Sequence, residues 1–230
     1  MLKYFELTIT VFLKKDIYFI ETNALLSKII IKAMALDKQL LEKHLDTGYK
    51  HYVFSGFYPI EKDKYYKEGR VYIYRIRTLD SYLSQKLMEN LPLIEDANIK
   101  TISVQVQEQK RRYINHIYTL TPAVATVNNE YWTLGDDIFL LQERIQNNLE
   151  KKYKDFYEKE IKIENPFISS IEILNKKPIV YRYKTTSIVG NRLRIFVNSD
   201  EISQKLAFIA VATGLLEKNS ALGMGFCLAK

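Results

Sequence analysis

A chain of 230 residues, 47% hydrophobic and 27% charged, can bury one large core or two cores of about 100 residues each, and this excludes a disordered polypeptide. The 34 Lys and Arg exceed the 27 Asp and Glu to give a formal net charge of +7, which favours an acidic partner, either a nucleic acid or an anionic surface. No apolar run reaches the ~18 residues of a membrane span, and Met1-Leu-Lys-Tyr-Phe-Glu-Leu-Thr-Ile-Thr10 alternates like a strand instead of showing the charged-then-apolar pattern of a leader, so a soluble, cytoplasmic protein with no membrane association is expected.

Residues 2–13 alternate and predict a strand. Apolar residues at Leu25, Leu26, Ile29, Ile30, Ala33 and Leu36 have helical spacing and predict a helix over 22–36. Lys28 and Lys32 lie one turn apart on its opposite face. A second helix over 38–45 ends in Lys43-His44-Leu45, with Gly48 as a stop signal. Tyr-, Val-, Phe- and Ile-rich runs at 51–58 and 70–78 predict two strands joined by a charged linker, Glu61 to Gly69. A helix over 80–91 starts at Asp80-Ser81, and 99–112 alternate as a strand. The order is βαββαβ.

The pattern then restarts. Residues 116–127 predict a strand and 136–161 a long charged helix; strands follow at 168–175, 179–187 and 191–197, then a helix over 200–213 and a strand over 223–229. A βαββαβ unit is the ferredoxin-like fold, an antiparallel sheet with two helices on one face. The expectation is an α+β protein of two tandem ferredoxin-like domains, 1–114 and 115–230, with no flexible linker between them.

Three of the eight glycines, Gly214, Gly223 and Gly225, fall in the last seventeen residues, between the last helix and the last strand. Lys218, Asn219 and Ser220 stand among them. Glycine admits φ > 0 and close approach of a ligand, and successive N–H groups beside a lysine can bind an anion. The plainer reading is a helix C-cap at Gly214, a turn and a strand. The 17 Tyr and 11 Phe among basic residues suit stacking on unpaired RNA bases, although tyrosine also fills half-buried strand positions. The single cysteine, Cys227, cannot form an internal disulfide, and His44, His51 and His116 show no zinc-site spacing with it. No metal and no cofactor are expected.

Two ferredoxin-like units, a basic surface and a glycine-rich loop before the final strand resemble the RAMP proteins of CRISPR systems. Glu217-Lys-Asn-Ser-Ala-Leu-Gly-Met-Gly-Phe226 resembles the C-terminal signature of the endoribonucleases that cut CRISPR repeat transcripts. Tyr118-Thr-Leu-Thr-Pro-Ala-Val-Ala-Thr-Val127 is similar to their strand opening the second domain, Lys50-His-Tyr-Val-Phe-Ser-Gly-Phe57 to their second strand, and Glu61-Lys-Asp-Lys-Tyr-Tyr-Lys-Glu-Gly-Arg70 to members with a charged hairpin there. The four blocks lie in the family's order. The resemblance implies metal-independent cleavage by the 2′-hydroxyl upstream of the cut, leaving a 2′,3′-cyclic phosphate and a 5′-hydroxyl. It also places a histidine at the end of the first helical region and a lysine shortly after, which here are His44 and Lys50.

An imidazole with a pKa of about 6.5 can take or give a proton at neutral pH, so His44 suits a general acid or base; as a plain surface residue it would cap a helix C-terminus. Lys50 suits charge stabilisation of the transition state. His51 is the second choice for proton transfer, and His116 is expected to be structural. Where some members carry a tyrosine facing the histidine, this chain has Ile29; Tyr49 is the nearest phenol, and the second proton-transfer group stays unassigned. Lys218, Asn219, Ser220 and the three glycines are expected at the RNA backbone. Lys28 and Lys32 suit a groove for phosphate, and Arg192 and Arg194 share one strand face and could read RNA. Lys151-Lys152 and Lys176-Lys177 are expected at the solvated surface. The partner is CRISPR repeat RNA, single-stranded or hairpin, with other effector subunits as further partners and a monomeric or homodimeric state. Two other readings stay open: a non-catalytic RNA-binding subunit of a CRISPR effector complex, and a generic module for single-stranded nucleic acid.

Overall fold

The computed structural model describes residues 2–161, 163–183 and 186–230, and the chain divides into two units. The first holds the residues up to Lys110 together with Ser220–Leu222, and the second Arg111–Asn219 together with Gly223–Lys230. No helix among the described residues is long and apolar enough to cross a membrane.

In the first unit the elements are β1 (Lys3–Leu13), β2 (Ile17–Tyr18), α1 (Phe19–Ala35), α2 (Lys38–Leu45), β3 (Tyr52–Phe54), β4 (Tyr65–Tyr66), β5 (Val71–Thr78), α3 (Ser81–Asn90) and β6 (Ile99–Lys110). Alternation along β1 turns Leu7, Ile9, Val11 and Leu13 to one face, where Leu26, Ile29, Ile30 and Ala33 of α1 meet them. Burying each of these larger side chains contributes roughly 1.5–3 kcal/mol. The sheet order is β3-β5-β1-β6, antiparallel throughout. Two aspartates start helices: Asp37 Oδ1 accepts from the Leu40 N–H at 3.0 Å, and Asp80 Oδ1 from those of Tyr82 and Leu83 at 2.9 and 3.1 Å.

The second unit carries β7 (His116–Thr119), β8 (Thr126–Val127), β9 (Glu130–Tyr131), α4 (Ile138–Tyr157), β10 (Ile168–Ile173), β11 (Ile179–Tyr183), β12 (Thr186–Gly190), β13 (Leu193–Val197), α5 (Glu201–Thr213) and β14 (Cys227–Ala229), while of the short α6 (Asn219–Leu222) only Asn219 belongs to it. Its main sheet is β10-β13-β7-β14, again antiparallel. Counting only the main strands, both sheets run second-third-first-fourth, the order of a ferredoxin-like unit. Two tandem ferredoxin-like units are thus present, as the element order predicts.

Several boundaries differ from the sequence expectation. The strand expected over 116–127 stops at Thr119, because the chain turns at Pro122, which lacks a ladder donor. Its far end instead forms the β8–β9 hairpin, whose turn residues Asn128 and Asn129 both have positive φ (50° and 66°), a conformation that asparagine tolerates. The strand expected over 179–187 is a separate hairpin, β11 with β12; its residues 184 and 185 lie outside the described residues. The linker 61–69 contains β4, which pairs with β2. The last strand begins only at Cys227, because the helical turn Asn219–Leu222 is followed by a second turn at Met224 and Gly225, the latter at φ 69°.

Candidate functional site

The C-terminal end of α2 gathers His44 and Lys50. The Lys50 ammonium turns back onto the helix and donates to the carbonyls of Lys43 and Asp46, the latter at 2.5 Å. It therefore satisfies terminal carbonyls that the helix leaves free and sets a positive charge at the negative end of its dipole. His44 is half-buried, and its Nδ1 is buried with no hydrogen-bond partner among the described residues. Burial pulls the imidazole below its usual pKa of 6.5, and the charge of Lys50 pulls it further. The ring is thus neutral at pH 7 and able to accept a proton. Burial and the neighbouring Lys43 lower the pKa of Lys50, opposed by Asp46. Lys43 is held in turn, 2.6 Å from Asp80 Oδ2.

The other histidines are placed differently. His51 is 7% exposed, has φ 50°, and packs its ring 6.0 Å from that of Tyr49, while its carbonyl accepts from the Leu79 N–H. His116 lies in β7 with its ring 5.4 Å from that of Phe196. Ile29 is core, 1% exposed, and offers no proton chemistry.

The glycine-rich segment is a built loop, and its glycines serve the backbone. Gly214 caps the C-terminus of α5 at φ 85°, so the plainer reading of that position is the observed one. Gly225 has φ 69°, and a Cβ there would lie 2.1 Å from the Leu215 carbonyl oxygen, because Leu215 N–H donates to the Gly225 carbonyl at 2.9 Å and Gly225 N–H to that of Pro122 at 2.8 Å. Gly214, Gly223 and Gly225 are all buried, and at Gly225 the space a side chain would need is filled by the backbone of Leu215. The side chain of Asn219 is equally committed. Its amide donates to the carbonyls of Leu215 and Met224 at 2.9 and 2.8 Å, so it frames the loop instead of facing a ligand. Lys218 is exposed and Ser220 half-exposed, while Glu217, also half-exposed, is engaged by Thr126.

A correction concerns Lys152. Expected at the solvated surface, it is 2% exposed, and its ammonium donates to the carbonyls of Gly214 (2.8 Å) and Leu216 (3.3 Å) and to Asn219 Oδ1 (2.7 Å). Its partner in sequence, Lys151, is exposed. A signal existed: Lys152 lies three residues after Leu149, on the stripe of Leu141, Ile145 and Leu149 that α4 buries.

The remaining basic residues split. Lys28 is exposed, whereas Lys32 pairs with Asp96 at 3.2 Å. Arg192 and Arg194 lie on the face opposite buried Leu193 and Ile195; Arg194 pairs with Glu172 at 2.8 Å, and Arg192 Nε donates to the Thr119 carbonyl at 3.3 Å. Each pair therefore has at least one charge already partnered. Among the described residues no group of three or more His, Cys, Asp or Glu could hold a metal ion.

Comparison with known proteins places these features in a family. The family described as "CRISPR associated protein Cas6, C-terminal" matches residues 104–228, over half of the chain. CRISPR-associated endoribonuclease Cas6 2 of Methanocaldococcus jannaschii is 27% identical over 232 residues, covering 93% of this chain and 94% of its own length. Two solved structures share the fold from end to end. One, described as a RAMP protein binding different RNA substrates, has 16% identity and a TM-score of 0.76 over 98% of this chain and 99% of that one. The other, a Cas6-related protein from Pyrococcus furiosus, has 18% identity and a TM-score of 0.71 over 99% and 98%.

Proposed function

Since the chain belongs to the CRISPR-associated Cas6 family, we propose that it is an endoribonuclease that processes CRISPR repeat RNA without a metal ion. The observation that carries the catalytic part is His44: a half-buried imidazole, kept neutral by burial and by Lys50, at the end of α2. In this reading His44 takes the proton of the 2′-hydroxyl upstream of the cut. The 2′-oxygen forms a bond to its own phosphorus, the bond from phosphorus to the 5′-oxygen breaks, and the imidazolium returns its proton to the leaving oxygen. The products are a 2′,3′-cyclic phosphate and a 5′-hydroxyl, and one histidine balances both proton transfers. Lys50 supplies positive charge for the developing negative charge on phosphate, exchanging one of its carbonyl partners for a phosphate oxygen. Lys218, Ser220, Lys28 and the Arg192–Arg194 face supply sequence-independent backbone contacts.

A labelled repeat RNA from the array of the protein's own genome, incubated with the protein in EDTA, tests this. The expected result is a single cut, abolished when the 2′-hydroxyl at that cut is replaced by hydrogen. Tight binding with no cut across several repeats would sink the nuclease and leave an RNA-binding subunit.

The pH profile carries a second expectation. Because His44 is held below 6.5, the acid limb of log kcat/KM has its midpoint below 6.5, with activity retained at pH 7 and lost as the imidazole protonates on acidification. In Lys50→Met the charge that helps lower it is gone, so the midpoint moves up towards 6.5 while burial holds it short of that value. A limb that does not move separates Lys50 from His44. The linked stability has the same sign: the unfolded chain binds the His44 proton more readily, so this contribution is full above 6.5 and declines as pH falls through that value.

A further inference from the structure

We propose that Lys152 is a positioning residue of the glycine-rich loop, holding the left-handed turn that presents Lys218 to RNA. The proposal rests on the reading of this chain as a repeat-RNA nuclease.

Three observations converge on it. First, an ammonium buried without a carboxylate is a costly occupant of a helix face that otherwise carries Leu141, Ile145 and Leu149, where an apolar side chain would serve the core better. Its three partners are neutral oxygens, one for each ammonium proton: the Gly214 carbonyl, the Leu216 carbonyl and Asn219 Oδ1. Burial draws its pKa down to about 7, opposed by Cys227, so nothing nearby repays the full cost of the charge.

Second, those acceptors flank Lys218 on both sides, and the backbone between them is strained. Leu216 and Lys218 have φ 58° and 60°, a region that side chains with a Cβ enter only when their surroundings force them. Such strain persists where a structure over-determines it, and it gathers at sites that bind ligands. Here Lys152 fixes the carbonyls, Glu217 accepts from the N–H and Oγ1 of Thr126 at 2.9 and 2.8 Å, and Asn219 bonds to Leu215 and Met224.

Third, the product of this bracing is one exposed cation. Lys218 stands at the N-cap of α6, exposed, with no ion pair among the described residues. A buried lysine and an acidic side chain thus hold a strained turn whose outward group is a lysine suited to phosphate.

The test is a double-mutant cycle in the full chain, read as the affinity for the labelled repeat RNA in a His44→Ala background, so that the RNA is not consumed. Lys218→Gly removes the charge and suits the left-handed backbone; Lys152→Met keeps the volume and removes the donors. Each is expected to weaken binding by about tenfold, the scale of one charge-assisted contact, and the double variant by far less than the product of the two. Binding by Lys152→Met within twofold of the parent, or full multiplication in the double variant, would overturn the proposal. Hydrogen exchange on the free protein is the second readout: loss of protection confined to residues 214–225 supports the brace, and unchanged protection there overturns it. Global loss marks unfolding, in which case Lys152→Gln, with two donors on a shorter arm, must fall between parent and Lys152→Met. If the parent binds no repeat RNA, the nuclease reading itself has failed, and exchange alone then judges the brace.

Discussion

His44→Ala is expected to slow cleavage of repeat RNA by about 10²–10⁴-fold, the usual worth of a positioned acid–base group, while leaving RNA affinity within about threefold. The ring is half-buried, its Nδ1 makes no hydrogen bond among the described residues, and its neutral form is favoured. Truncation therefore removes no native hydrogen bond at that nitrogen, and little stability should be lost with it. The Lys50 and Lys43 contacts at the end of α2 go to backbone carbonyls and to Asp80, so they survive the change. Single-turnover cleavage beside a filter-binding titration separates the two effects. Rapid cutting by His44→Ala would shift the chemistry to His51. That residue is 7% exposed on a left-handed backbone, so it would need the strand entry to open before it could reach a phosphate.

Gly225→Ala is expected to cost about 2–5 kcal/mol, combining left-handed strain for a residue with a Cβ and an overpacked contact. The new Cβ would meet Leu215 O at 2.1 Å, N at 2.9 Å and C at 3.0 Å. All three are backbone atoms; the Leu215 N–H donates to the Gly225 carbonyl and the Gly225 N–H to the Pro122 carbonyl, so residue 225 is held from both sides and cannot step away. For a chain of this size that corresponds to a fall in Tm of roughly 5–15 °C by circular dichroism, accompanied by loss of RNA binding as the loop is displaced. Gly69→Ala is the control. Its φ is 75°, but nothing lies within 4 Å of the added Cβ, so only the backbone strain of about 1–2 kcal/mol applies. Equal melting of the two variants would show that the close approach at Leu215 does not limit residue 225.

The glycines divide what could be read from sequence from what could not. Their crowding near the C-terminus marks a loop of unusual backbone, and that much is local. Whether the missing side chain makes room for a ligand or for the chain itself depends on what lies opposite. At Gly225 it is Leu215, ten residues earlier, brought there by the path through α6 and the pairing of β14 with β7. His44 is similar. Its place at a helix end is visible in Lys43-His44-Leu45 followed by Gly48, but the turning of Lys50 onto the helix carbonyls and the enclosure of Nδ1 are not.

The two βαββαβ series, the helix start at Asp80 and the likeness of the final loop to the repeat-cutting family are all legible in the amino-acid order. Periodicity, capping and turn chemistry depend on neighbours within a few residues, and a strand's alternation or a helix's stripe survives in any context. Packing between distant segments makes Lys152 interior while Lys151 is solvated, turns Asn219 inward and leaves Lys218 as the cation the loop displays. Those outcomes depend on which surfaces meet across 60 or more residues, as between Lys152 and the carbonyls of Gly214 and Leu216, 62 and 64 positions away. One lysine looks like the next along a charged helix until a partner surface distinguishes them.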